Sequence, residues 1–385
     1  MGRLRLAALS LGIVVLPADG LLALEGAEKT LTVERAVPGG GPLVFENLIG
    51  SVRIVAARPL EPVRVEAHVT AEARTIEEAR ALVESIRIEQ RATDGEALFH
   101  VVFPVADHAA FRPPKPGVQG LVSRWTAPLL RESSTVEYGG RTVEVGPDRK
   151  ATGLAVNLTI SLPYDSRATV RQGAGPIHGR ALRGHLQLAT TDGDITVERC
   201  FGTVQAESRR GSVRILHFQG DGLEVRTATG DTELSEVRTE RTTVRTTAGS
   251  IRGSGVSTGL LVVESSTGDV RVADCEPATA RIETGSGKVD VSTHWTRLKD
   301  ASIRTAGGDV TLRVGNLTHF DLLAQSRTGT VQALGMSLDL VEREGLSTRL
   351  RQGQGGPAVL VEAPGGSITV RPYDASRLDL LVRER

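Results

Sequence analysis

The residues that could carry chemistry in this chain are few and poorly grouped. Gly255–Gly259 spells GVSTG, the nucleophile-elbow pattern around Ser257. That chemistry needs a strand, a sharp turn and then a helix, whereas here the segment joins two short strand patterns. GSGK, from Gly285 to Lys288, lacks the spacing and the following Ser or Thr of a phosphate loop, and reads as a turn carrying a lysine. His178 and His185 are seven residues apart, and the eight histidines have no metal-ligand spacing. Asn157 and Asn316 stand in N-x-T sequons that read as accidental, and Trp125 and Trp295 are the two tryptophans. The patterns assign no catalytic residue, no metal ligand and no cofactor, and they leave the binding residues unknown.

The elements that would position any such site are easier to read. A phrase recurs with glycine at positions 193, 211, 230, 249, 268, 287, 308, 329 and 366, as in GDITV, GSVRI and GDVRV. Successive glycines are 18, 19, 19, 19, 19, 21, 21 and 37 residues apart. The last interval is close to two repeats and predicts one degenerate coil around Gly345–Gly353. Two residues after the glycine stand Ile195, Val213, Thr232, Ile251, Val270, Val289, Val310, Val331 and Ile368; four after it come Val197, Ile215 and their counterparts through Ala333 and Val370. Five before it run Leu188, Ala206, Val225 and on to Val361. This is period-two alternation in two short strands per repeat, with these rows facing a core. Three before the glycine a small, mostly hydroxyl row persists, from Thr190 and Ser208 to Ser326, placed to hydrogen-bond along a stack.

One coil of about 19 residues cannot bury its own apolar face, but stacked coils build a continuous core. The expected fold is all-β: a β-solenoid (β-helix) of about ten 19-residue coils at 173–372, with a short tail at 373–385. Outward rows mix both signs and read as solvated faces. Asp194, Asp231, Asp269 and Asp309, just after the glycine, read as turn chemistry rather than a calcium ladder. Cys200 and Cys275 fall in one apolar row, four coils and thus about 19 Å apart, beyond the roughly 7 Å reach of a disulfide. Two buried free thiols are expected.

Residues 28–172 read as a β-rich capping domain with one helix near 75–87. Thr75 and Glu78 form a capping box, and Ala79, Leu82, Val83 and Ile86 line one face. Val63–Val69, Leu98–Val102 and Val156–Leu162 alternate as strands, and 106–150, with Pro113, Pro114 and Pro116, reads as a loop insertion. Residues 1–20 read as an export signal: Arg3 and Arg5 precede an apolar run from Leu6 to Leu16, too short to span a bilayer.

Composition narrows the function. Lys plus Arg (46) equals Asp plus Glu (46), so no field of one sign collects nucleic acid or anionic lipid. Aromatics make up only 3%, which weakens sugar-stacking or base-stacking platforms, while the 43 glycines exceed the usual share of about 7%.

FENLIGSVRIVA at Phe45, the helix around Glu77, SLPYDSRATV at Ser161 and the recurring glycine phrases resemble the exported bacterial proteins with DUF4097-type β-strand repeats, also labelled adhesins. The likeness covers roughly residues 35–372 and implies a β-solenoid-like fold and an extracytoplasmic location, periplasmic or at the cell surface. It supplies no catalytic motif, and the Pro-rich insertion departs from it.

The expected function is therefore that of a non-catalytic, exported adhesion, interaction or structural display module of the cell envelope. Its partner would be an envelope protein or a glycan, and 106–150 its contact segment. One alternative is a polysaccharide-active enzyme on a β-helix, for which the outward rows offer only Arg252, Arg271 and Asp290. Another is an envelope-sensing partner of a membrane complex.

Overall fold

The computed structural model describes residues 24–36, 41–58, 61–93, 95–115, 132–315 and 319–373. The segment 1–20 and the tail beyond Tyr373 lie outside them. The described residues form 29 strands and one helix, so the chain is all-β, and it divides into two compact units, 1–211 and 212–385.

In the first unit, β1 (Glu25–Arg35) precedes β2 (Leu43–Ile49) and β3 (Val52–Ala56), the two arms of one coil bent at Gly50. Next come β4 (Val63–Ala73), α1 (Ile76–Ser85), β5 (Arg87–Thr93) and β6 (Glu96–Val102). The helix starts where its capping box predicts: the Thr75 hydroxyl accepts from the Glu78 N–H at 3.2 Å, and Ala79, Val83 and Ile86 are buried. β7 (Ala110–Arg112), β8 (Ser134–Tyr138) and β9 (Arg141–Val145) follow, then β10 (Thr152–Leu162), antiparallel to β4 and parallel to β3. The coil arms β11 (Ser166–Ala174), β12 (Ile177–Arg180), β13 (Arg183–Asp192), β14 (Ile195–Glu198) and β15 (Phe201–Arg210) complete the unit. Parallel pairing stacks β2, β11, β13 and β15 in one sheet and β3, β12 and β14 in the other.

Within 106–150 the expected loop is corrected wherever the segment is described. β8 and β9 form an antiparallel hairpin turned by Gly139 and Gly140, with φ of 58° and 75°, and β7 pairs in parallel with β9 and β10. STVEY and RTVEV alternate, so Val136, Tyr138, Val143 and Val145 turn inward and are buried. Two such runs around a Gly-Gly pair are a hairpin signal, which the neighbouring prolines obscured.

The second unit opens with three long strands, β16 (Val213–Thr229), β17 (Thr232–Ala248) and β18 (Ile251–Ser265), stacked in parallel. β19 (Val270–Ala273), β21 (Val289–Thr293) and β23 (Val310–Val314) extend one sheet; β20 (Glu276–Thr284) and β22 (Asp300–Thr305) extend the other. β24 (Phe320–Gln325) and β25 (Val331–Ala333) are followed by β26 (Asp339–Glu344), β27 (Ser347–Gln352), β28 (Ala358–Glu362) and β29 (Ile368–Pro372).

Here the degenerate coil expected at Gly345–Gly353 is corrected. β26 and β27 form a hairpin, β27 lies antiparallel to β24, β28 sits between β22 and β24, and β29 sits between β23 and β25. The chain overshoots by one coil, turns back, and fills the place it skipped. Among the described residues β25 thus has a neighbour on one side only, and for that reason Val331 is half-buried and Ala333 exposed, against the expectation of core.

Elsewhere the core rows are as the repeat predicts. Ile195 in the first unit, and Val213, Ile251, Val270, Val289, Val310 and Ile368 in the second, are each at most 1% exposed. The hydroxyl row bonds along the stack: Ser208 donates to the Gly193 carbonyl at 2.9 Å, Thr284 to Gly268 at 3.0 Å and Thr305 to Gly287 at 2.9 Å. The Thr305 hydroxyl also accepts the Gly308 N–H of its own coil at 3.0 Å. Such bonds contribute about 0.5–1.5 kcal/mol each. Glycine is required at this corner, because at Gly249 (φ 144°) a Cβ would lie 2.1 Å from the Gly230 carbonyl oxygen. The opposite corner is left-handed too, mostly without glycine: Ala181, Arg199, His217, Glu236 and Asp274 hold φ between 50° and 55°, and Gly255 takes the same place at 63°.

Candidate ligand cleft

The first unit's sheet carries one row of outward side chains across six strands. By register it reads Glu89, His100, Glu46, Arg171, Ala189, Glu207. Successive members are one strand apart, about 4.8 Å. The strands' alternate residues turn into the core, where Phe45 and Phe99 stack with centroids 5.0 Å apart beneath the floor.

The centre of this row is occupied with itself. His100 Nδ1 lies 3.0 Å from Glu46 Oε2, Arg171 Nη1 donates to Glu46 Oε1 at 2.9 Å, and Arg91 Nη2 donates to Glu89 Oε2 at 2.7 Å. The hydrogen bond from His100, helped by that from Arg171, holds the Glu46 carboxyl below its ordinary range against the opposing effect of burial. Glu137 accepts from Thr142 at 2.5 Å. Among the described residues Glu207 has no hydrogen-bond or ion-pair partner, and it faces Arg171 across the methyl group of Ala189.

The β8–β9 hairpin forms the wall. The Tyr138 ring stacks on His100 with centroids 5.0 Å apart, and its hydroxyl donates to the Val101 carbonyl. Burial holds this phenol well above its usual pKa. At the hairpin's foot Ser134 donates to Asp192 at 2.6 Å, and Arg210 pairs with Asp192 at 3.2 Å and with Glu132 at 3.0 Å. Floor and wall enclose a cleft of about 750 Å³, within the size range of small-molecule sites. Deeper down, Asn47 and Gln172 occupy the hydroxyl-row position and donate to the Val156 and Gly50 carbonyls at 2.8 and 2.9 Å. Their amide oxygens are buried without partners among the described residues.

The residues singled out in the sequence are not brought together. Ser257 lies within β18, followed by more strand rather than a helix. His178 on β12 is half-buried and His185 on β13 exposed; burial, then the charge of Arg53, lowers the His178 pKa. Asp290 is clamped by Arg313 and lies 3.8 Å from Arg271, while Arg252 pairs with Asp231 at 3.0 Å. The Asp row does turn work: Asp231 accepts the Ser250 N–H at 2.9 Å and Asp269 the Lys288 N–H at 2.8 Å. Asn157 is spent on Ser51, whose N–H and hydroxyl both donate to its side-chain oxygen. Cys200 and Cys275 are buried and free, and burial pushes the Cys275 thiol up to about 12. Trp295 is 4% exposed, and Trp125, Asn316 and Pro116 lie outside the described residues.

The cleft residues were missed, although part of the signal was present. Glu46 stands four residues before Gly50 and Arg171 four before Gly175, the same place as Ala189 and Glu207. Extending the repeat backward exposes that ladder. His100 and Tyr138 come from non-repeat strands and carry no such mark.

Among the described residues no helix is long and apolar enough to cross a membrane, and no three His, Cys, Asp or Glu side chains converge as a metal site. No curated protein matches the chain significantly. Similar solved structures include a candidate cell adhesion protein from Clostridium sporogenes, 11% identical over 90% of this chain and 100% of that one, with a TM-score of 0.18. A candidate adhesin from Bacteroides fragilis is 9% identical over 90% and 97%, with a TM-score of 0.33. A candidate lipid-binding protein from Parabacteroides distasonis is 10% identical over 89% and 96%, with a TM-score of 0.38. The model of the Toastrack family matches residues 152–371, more than half of the 385 residues, and its repeat region is the stacked, β-solenoid-like arrangement described above: the chain belongs to the Toastrack DUF4097 family.

Proposed function

We propose that this protein is a non-catalytic module of the cell envelope, exported through residues 1–20, that acts in adhesion, interaction or structural display. In this reading the β-rich 28–172 and the roughly ten coils of 173–372 are the scaffold, and the cleft of the first unit is the surface presented to an envelope protein or glycan. The observation that carries it is the row across the cleft floor. His100 and Arg171 are both tied to Glu46 across stacked strands, and Glu89 is tied to Arg91 on its own strand, a preformed hydrogen-bonding surface. The adhesion-type neighbours agree with this only in their names.

The test is capture from envelope extract and from a panel of purified glycans, with the full chain as bait beside Arg171→Ala and His100→Ala. Specific capture lost in both variants, with both still unfolding cooperatively, supports the reading. Hydrolysis or elimination of any offered polysaccharide by the wild type overturns the non-catalytic assignment, and capture indifferent to both variants overturns the cleft.

A further inference from the structure

We propose that the cleft takes a short neutral oligosaccharide, laid across the strands over Ala189, with Arg171 and Glu207 as its hydrogen-bonding ends. This rests on the binding reading above and names its ligand class.

The first argument is charge. The cleft's four glutamates face three arginines, so the near-balance of formal charge leaves little field of one sign to hold an anionic or cationic polymer. The second is what remains unspent. Arg171 uses one guanidinium nitrogen on Glu46 and is 61% exposed, leaving other N–H donors on the open side. Glu207 is an exposed acceptor with no partner among the described residues. The third is spacing. Ala189 lies between them on the intervening strand, so donor and acceptor start two strands, about 10 Å, apart, with a methyl floor between. A pyranose offers hydroxyls that both donate and accept at its rim and a C–H face for the methyl group. It satisfies Arg171 and Glu207 without bringing a charge that must be desolvated. Thr191, also in the lining, adds a hydroxyl to the same lobe.

The fit predicts a variant that closes the site without touching the core. Ala189→Glu places a carboxylate beside Arg171 on the outward face and fills the methyl gap. Binding of cellohexaose, xylohexaose, maltohexaose and chitohexaose to the full-length protein is measured by titration calorimetry and ligand-observed NMR, beside polygalacturonate and polylysine as anionic and cationic probes. At least one neutral probe should bind, at least tenfold more weakly to Ala189→Glu and Glu207→Gln, with melting temperatures unchanged. No binding of any neutral probe, binding of the charged probes alone, or neutral binding that survives Ala189→Glu overturns the proposal. The envelope capture assay on Ala189→Glu separates the two levels. Capture lost there without neutral-glycan binding retains the interaction module and discards the sugar; capture unaffected discards the cleft as well.

Discussion

The Ser326 hydroxyl donates to the carbonyl of Gly366, forty residues further along the chain, at 2.9 Å. At Thr190, Ser208, Thr284 and Thr305 the same bond reaches back to an earlier glycine, as from Thr305 to Gly287. The reversal at Ser326 marks a coil that was laid down last and sits inside the stack. Asp309 repeats the message by accepting the N–H of Ser367 at 2.9 Å.

Gly366 is therefore an interior stacking position rather than a terminal one. A Cβ there would lie 1.9 Å from the Gly308 carbonyl oxygen. Gly366→Ala is expected to cost about 1–3 kcal/mol through overpacking against backbone, read as a lower denaturant midpoint. Gly345→Ala, at a turn with nothing within 4 Å but a φ of 53°, is expected to cost less. Equal costs would contradict the inserted order.

The repeat was legible because it is a backbone property. A glycine that stacks on a glycine, a hydroxyl three residues earlier and two apolar rows recur wherever the path recurs. Coil order was not legible, since the 37-residue interval is satisfied equally by a hidden coil or by an overshoot and return, and only the partners of β28 decide. The cleft was half legible: Glu46 and Arg171 follow from the repeat, whereas His100 meets Glu46 by a parallel pairing of β2 with β6 that no short-range pattern announces.

Arg112 tests the corrected insertion. Its guanidinium grips Glu72 through two bonds of 2.8 and 3.2 Å, with Glu72 only 2% and Arg112 only 7% exposed, and the Lys115 N–H donates to the same carboxylate at 2.6 Å. Arg112→Ala leaves that carboxylate buried and uncompensated, so a loss of about 3–5 kcal/mol is expected. A loop residue at this place would cost less than about 0.5 kcal/mol. Urea unfolding distinguishes the two.

Thr232 is the one polar member of the row two residues after the glycine. It is fully buried, and its hydroxyl has no partner among the described residues. Thr232→Val keeps the shape and removes the orphan, so the variant is expected to be more stable by about 1 kcal/mol, at the low end of the 1–3 kcal/mol cost of an unpaired buried group. A shift of the denaturant midpoint downward would mean that the hydroxyl serves something else.

Glu46 links the cleft to pH. Its carboxyl is held below the ordinary range chiefly by the hydrogen bond from His100. A carboxylate with a lowered folded-state pKa contributes stability that is present above its unfolded value of about 4.3. That contribution is lost as pH falls through the lower folded value, because the native state must then take up a proton it resists. The wild type should therefore lose stability on acidification from about pH 5 downward, and Glu46→Gln, which has no proton to take up, should lose less over the same window. Other carboxylates add to the wild-type slope, so the informative quantity is the difference between the two profiles. If binding requires the intact His100–Glu46–Arg171 row, ligand affinity should fall over the same pH range in the wild type. Parallel stability profiles for wild type and Glu46→Gln would show that the hydrogen bond from His100 does not persist in solution.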